Sequence, residues 1–228
     1  MYKYSDNNAQ TYSQLGIKGT TYESGFNETK KILGDLTNKK VLDFGSGAGR
    51  TAQLLLSMGA EKVVGVDHNQ SMIDQTKKIQ NEKLEFVKVD STLPFEENTF
   101  DGALAAHVFV EVISLDEMKQ VSSEVFRVLK PGGIFVIITN NSKSIGMNYL
   151  SYGYSKNDNL KSGDKIPCTI KKGKDSFVID DYFWFEEDYQ KVLEEVGFKV
   201  SMTFPLVSGD EWLDESRVAS HVVVKAVK

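Results

Sequence analysis

Residues 41–49 read Val-Leu-Asp-Phe-Gly-Ser-Gly-Ala-Gly, and they constrain this chain more than any other segment. An apolar strand ends in an acid, and a loop follows with glycine at every second position. Leu-rich periodic sequence from Ala52 to Met58 then predicts a helix. Gly45, Gly47 and Gly49 can take positive φ, which lets a ligand lie directly on the backbone. The free N–H groups of a helix start would face that ligand. Strand, glycine loop and helix together predict a nucleotide-type site.

The spacing bears on which nucleotide it is. A dinucleotide fingerprint, G-x-G-x-x-G, needs its third glycine one place later, where this chain has Arg50. Asp43 would also crowd a pyrophosphate with negative charge, whereas it would suit a ligand bearing an ammonium group. Asp67 stands 24 positions after Asp43, at the end of a second apolar run. An acid at that place can accept both ribose hydroxyls.

Strand and helix patterns alternate through residue 139. Strands are expected over 41–44, 62–66, 84–89, 100–108 and 134–139, and helices over 21–36, 51–58, 69–80 and 115–129. This pace implies right-handed βαβ crossovers and a parallel sheet. Lys130-Pro131-Gly132-Gly133 is expected to stop the helix before the fifth strand. Residues 140–180 show little periodicity. A helix over 186–196 and two further strands, 198–205 and 218–227, close the chain.

Net charge is −5 over 228 residues, which argues against a general nucleic-acid binder. Lys171, Lys172 and Lys174 read as a solvated loop. A single cysteine, Cys168, rules out an intrachain disulfide and carries no catalytic signature. Residues 1–10 are polar and unlike a signal peptide, and no apolar run approaches the ~18 residues of a membrane span, so a cytoplasmic location is expected.

The segment from Asp43 to Gly49 resembles motif I of the class I S-adenosylmethionine-dependent methyltransferases. Leu93-Pro94-Phe95-Glu96-Glu97-Asn98-Thr99-Phe100-Asp101 is similar to that family's stretch before the fourth strand. Glu124-x-x-Arg127-Val128-Leu129-Lys130-Pro131-Gly132-Gly133 is similar to its post-helix signature. The resemblance covers about residues 38–139 and 182–204. It implies a Rossmann-like three-layer sandwich with a seven-stranded, mainly parallel sheet and an antiparallel last strand. One methyltransferase domain is expected over 1–228: an N-terminal helical arm (1–36), a cofactor-binding core (37–139), a C-terminal helix with a β pair (186–228) and, from the length of the remaining segment, a substrate lid (140–185). S-adenosylmethionine would be the cofactor, held by Asp43, Gly45, Ser46, Gly47, Gly49, Asp67, His68, Met72, Asp90, Ser91 and Ala106. Asp67 would hold the ribose, His68 and Met72 would flank the adenine, and Asp90 would meet its edge. Tyr12 and Tyr22 of the arm could close over the cofactor.

Methyl transfer from a sulfonium is an in-line displacement that needs alignment and exclusion of water more than it needs a particular residue. His107, expected next to the cofactor crevice, is the candidate general base. Glu111 stands where many members of the family carry histidine. Tyr152, Asp181, Phe183 and Trp184 are the candidate substrate contacts, with Tyr149 and Tyr154 as further apolar walls. No metal ligands are assigned. The expected activity is methylation of nitrogen or oxygen in a small-molecule acceptor, with no nucleic-acid or membrane partner. A nicotinamide-dependent oxidoreductase and a non-catalytic S-adenosylmethionine-binding module are the alternatives.

Overall fold

Five apolar runs pair side by side and in parallel; the central three are buried on both faces, which leaves their backbone groups only neighbouring strands as partners. These are β1 (Lys40–Phe44), β2 (Lys62–Asp67), β3 (Leu84–Lys88), β4 (Phe100–Ala106) and β5 (Leu129–Asn140). Two more, β9 (Lys199–Thr203) and β10 (His221–Val227), complete a seven-stranded sheet of order β3-β2-β1-β4-β5-β10-β9. β10 runs antiparallel to β5, from His221 opposite Asn140 to Val227 opposite Ile134, and antiparallel to β9. The computed structural model of the chain describes residues 16–173 and 175–228. Tyr12, expected to close over the cofactor, and Lys174 lie outside the described residues.

Helices α1 (Glu23–Leu33), α2 (Arg50–Ser57), α3 (Gln70–Thr76), α4 (Leu115–Val128) and α5 (Glu186–Val196) flank the sheet. One apolar layer joins Phe26, Leu55, Val63, Leu104 and Ile138; the other joins Leu42, Phe100, Val125, Tyr189 and Leu193. Burying each such side chain stabilises the fold by ~1.5–3 kcal/mol. Ser114 caps α4, its Oγ accepting from the Glu117 amide at 3.2 Å.

Some boundaries differ from the sequence reading. α3 ends at Thr76, short of the expected residue 80. β4 ends at Ala106 because His107 turns the backbone into the left-handed region, φ 59°. Lys130 to Gly133 do not precede β5 but belong to it, and a register shift between Phe100 and Gly102 absorbs the irregularity.

The largest difference lies in 140–185. In place of a loop-like lid, the segment forms a three-stranded antiparallel sheet of β6 (Tyr152–Tyr154), β7 (Lys165–Lys172) and β8 (Asp175–Tyr182), order β6-β7-β8. Its inward face presents Tyr152, Tyr154, Ile166, Cys168, Ile170, Ile179 and Asp181, all buried and alternating with outward residues at the strand period of two. No helix among the described residues is long and apolar enough to cross a membrane.

Candidate active site

The glycine loop follows directly from the end of β1. The Gly45 and Ser46 amides both donate to the Val66 carbonyl, at 2.8 and 2.9 Å, so the loop folds across the end of β2. Gly45 has φ 70°, and a Cβ there would lie 2.2 Å from Val108 Cγ2, so only glycine fits. The Gly47 amide donates to Asp67 Oδ2 at 2.9 Å, and the Asn69 amide to Oδ1 at 2.8 Å. Two backbone donors thus fix the Asp67 carboxylate at the lip of the loop, each oxygen keeping a lone pair for a ligand.

Gly45, Ser46, Gly47, Asp67, His68, Met72, Asp90, Ser91, Ala106 and His107 line one cavity of about 160 Å³. The structure therefore brings together ten of the side chains and backbone positions singled out from sequence. Asp90 lies on its exposed rim, where Lys88 Nζ, 2.6 Å away, pairs with the carboxylate and lowers its pKa.

Three residues expected to hold the cofactor are placed elsewhere. Gly49 does not line the cavity. It starts α2 in the left-handed conformation, and a Cβ on it would strike Ile79 at 2.6 Å and Phe86 at 2.8 Å, so its small size serves packing. Asp43 is fully buried behind the loop, where its Oδ2 accepts from Thr51 Oγ1 at 2.6 Å. Its Oδ1 has no partner, and burial pushes its pKa up to about 7. Tyr22 packs on the far side of His107, 3% exposed, because it opens α1 and is drawn into the core.

Sequence reasoning passed over part of the cavity wall. Arg50 lines it, with its guanidinium 5.5 Å from the Tyr22 ring centre and 5.7 Å from that of Phe26. Glu117, Gln120, Val121 and Glu124 contribute one face of α4, and Glu111 reaches it from a short turn. Their i, i+3, i+4 and i+7 spacing was the available signal, on the polar side of a helix whose apolar side drew attention first.

His107 is the junction of the site. Its left-handed backbone is uncommon for a residue with a side chain, and strain of this kind concentrates where function over-determines the geometry. The half-buried imidazole lines the large cavity and also a second, inner chamber of about 20 Å³. Its Nε2 is shielded and unpartnered. Its ring meets Tyr22 edge-on at 5.1 Å and His221 at 4.9 Å. Burial, with His221 and Arg50 nearby, holds its pKa well below the usual histidine range, so the ring is neutral.

The inner chamber is closed by the β6–β8 sheet. Asp181 lines it with Tyr154 and Asn140. Tyr154 donates its hydroxyl to Asp181 Oδ2 and accepts from Asn140, whereas Asp181 Oδ1 has no partner. Burial pushes the Asp181 pKa up to about 6. Tyr152 supplies only its ring face, since its hydroxyl donates to the Ser220 carbonyl at 2.7 Å.

Phe183 and Trp184 are not brought to this chamber. Both are buried at a separate gap beside Tyr189, and Trp184 Nε1 donates to the Val112 carbonyl at 3.1 Å. They start the turn from β8 into α5, which the two apolar layers pull inward.

Residues 42–137 match the family described as a methyltransferase domain. The chain is 24% identical over 162 residues to N-demethylindolmycin N-methyltransferase of Streptomyces griseus, covering 69% of this chain and 68% of that protein. It is 30% identical over 183 residues to a sterol 24-C-methyltransferase of Candida albicans, covering 76% of this chain and 46% of that protein. It therefore spans less than half the length of that sterol enzyme. Among solved structures, an S-adenosylmethionine-dependent methyltransferase from Mesorhizobium loti superposes with a TM-score of 0.71 at 16% identity, over 93% of this chain and 100% of that one. Residues 42–137 therefore form a methyltransferase domain, which resembles the class I S-adenosylmethionine-dependent methyltransferases and takes S-adenosylmethionine as its cofactor.

Proposed function

We propose that this protein transfers the methyl group of S-adenosylmethionine to nitrogen or oxygen of a small-molecule acceptor. The observation that carries this reading is the shared wall: His107 faces both the cavity beside the glycine loop and the polar inner chamber. The division of labour would be a core, 37–139, that holds the cofactor, a segment, 140–185, that closes over the acceptor, and a C-terminal helix and β pair that complete the sheet.

The residues present fit the cofactor. The positive-φ loop leaves backbone for a ligand to approach, Asp67 offers lone pairs to a ribose, and the buried, unpartnered Ser46 Oγ in the cavity wall lacks a partner that a ligand can supply. Bound there, S-adenosylmethionine would supply an activated methyl on its sulfonium, with a neutral thioether as the leaving group. The chain's own part is alignment and dryness, worth up to ~7–11 kcal/mol of the barrier. Neutral His107 can accept a hydrogen bond from the acceptor N–H or O–H and take the proton that becomes acidic as the bond forms.

The inner chamber is lined by Tyr154, Asp181 and Asn140, which supports a polar rather than a hydrocarbon acceptor. The test is incubation with methyl-labelled cofactor and fractionated extract, followed by mass spectrometry. Label on nitrogen or oxygen of a small molecule is the expected outcome. Label on carbon, on protein or on RNA overturns the acceptor class.

A further inference from the structure

Resting on that acceptor reading, we propose that Asp181 anchors a protonated amino group of the acceptor, and that the methylated atom is a second heteroatom of the same molecule held at His107. Asp181 is 3% exposed and uses one oxygen, Oδ2, for Tyr154 and Asn140. Cys168 is its third polar neighbour, so the groups that stabilise the carboxylate are all neutral, and Asp180 beside it repels. Oδ1 is buried without a donor. A buried carboxylate is costly unless it is paired, and an unfilled acceptor oxygen adds to the cost. The missing partner is thus a donor that also carries positive charge.

Size points the same way. The chamber holds about 20 Å³, and about 10–15 Å³ admits one water-sized group. An ammonium head fits there, whereas a ring or a branched chain does not. The rest of the acceptor must then extend past His107 toward the cofactor cavity, since His107 is the wall common to both. An ammonium has no lone pair, so the anchored nitrogen is not the one methylated. The substrate class is therefore a compact amino compound with a nucleophilic nitrogen or oxygen set a short distance from its charged amine. Asp181 acts as a specificity and positioning residue, not as a catalytic one.

Methylammonium chloride is a probe of that head group. Protein saturated with S-adenosylhomocysteine is titrated with it in thermal-shift experiments, against sodium chloride at equal ionic strength and against methanol. Methylammonium should stabilise the wild type where sodium and methanol do not. Asp181→Asn keeps an acceptor for Tyr154 but loses the charge, and should bind methylammonium at least tenfold more weakly. Asp180→Asn, on the exposed side and paired with Lys165, should behave as wild type. Equal responses to methylammonium, sodium and methanol in the wild type overturn the anchor whether or not Asp181→Asn folds, and so does an undiminished response in Asp181→Asn. Calorimetry with S-adenosylhomocysteine separates the failures. Binding without methylammonium discrimination removes the anchor alone, and no binding removes the methyltransferase reading with it.

Discussion

The two sides of His107 are lined by different kinds of group. On the cofactor side the groups offered are mostly backbone: a loop with φ values of 70° and 53° at Gly45 and Gly47, with one carboxylate, Asp67, held in place by two amides. On the inner side the contacts are side chains on a separate antiparallel sheet, with Asp181 Oδ1 and His107 Nε2 both buried and unpartnered. Backbone recognition depends on local dihedral angles and therefore leaves a glycine pattern in the sequence. Side-chain recognition depends on which strands face each other, so it can be built from scattered residues. One side suits a ligand common to a whole family, the other an acceptor particular to this chain.

Substitutions can break that contrast. The largest effect is expected at Trp184, which lies behind the chamber rather than in it. Trp184→Ala should cost about 3–5 kcal/mol of stability by leaving a cavity and an unfilled Val112 carbonyl. Turnover per folded molecule should be nearly unchanged. Denaturant unfolding paired with activity corrected for folded fraction checks this, and a large fall in turnover without loss of stability would bring Trp184 back into the acceptor site.

Next comes the wall itself. His107→Asn retains a side chain that tolerates positive φ, so the backbone should hold while the base is lost. Turnover should fall ~100-fold or more, with affinity for S-adenosylhomocysteine within a few-fold of wild type. If affinity falls in parallel, His107 belongs to the cofactor side alone.

Asp67→Ala tests the cofactor side. Hydrogen bonds to a charged group contribute about 1.5–3 kcal/mol, which corresponds to ~10–100-fold weaker cofactor binding by calorimetry. Asp67→Asn should recover part of this, since it still accepts from the Gly47 and Asn69 amides. Unchanged affinity in both variants would place the ribose elsewhere.

The smallest effect concerns pH. The Asp181 pKa is raised from 3.8 to about 6 by burial, so the folded state retains a proton that the unfolded chain has lost between those values. Its contribution to stability therefore falls as pH rises through that window and is constant above it. His221, held down to about 3 by burial, acts oppositely, adding stability as pH rises toward the ordinary histidine value. Comparing wild type with Asp181→Asn isolates the first effect. The variant should gain on the wild type from about pH 4 to pH 6 and then run parallel to it. A constant difference across the whole range would mean that folding does not raise the Asp181 pKa.

The parallel core, the glycine loop and the antiparallel last strand were legible in the sequence, whereas His107, expected within a strand over 100–108, stands just beyond β4. The three-stranded sheet was not legible. Ile166, Cys168 and Ile170, then Phe177, Ile179 and Asp181, do alternate at period two. A proline at 167 and an acid at an inward position obscured that alternation, because Pro and Asp are depleted from strands on average. Tyr22 and Gly49 were assigned to the cofactor from their neighbourhood in the chain. Their true contacts are with His107 and Tyr152 in one case and with Ile79 and Phe86 in the other, all distant in sequence.

Local sequence alone thus determined what is local in its physics: a strand that needs partners on both edges, a turn that only glycine can make, a helix that begins where the turn ends. Tertiary structure decided which buried polar atoms are left without partners. Asp181 is an ordinary carboxylate in the sequence. It becomes a recognition group only because β8 turns it inward beside Tyr154 and Asn140, where one of its oxygens is left without a donor from the protein.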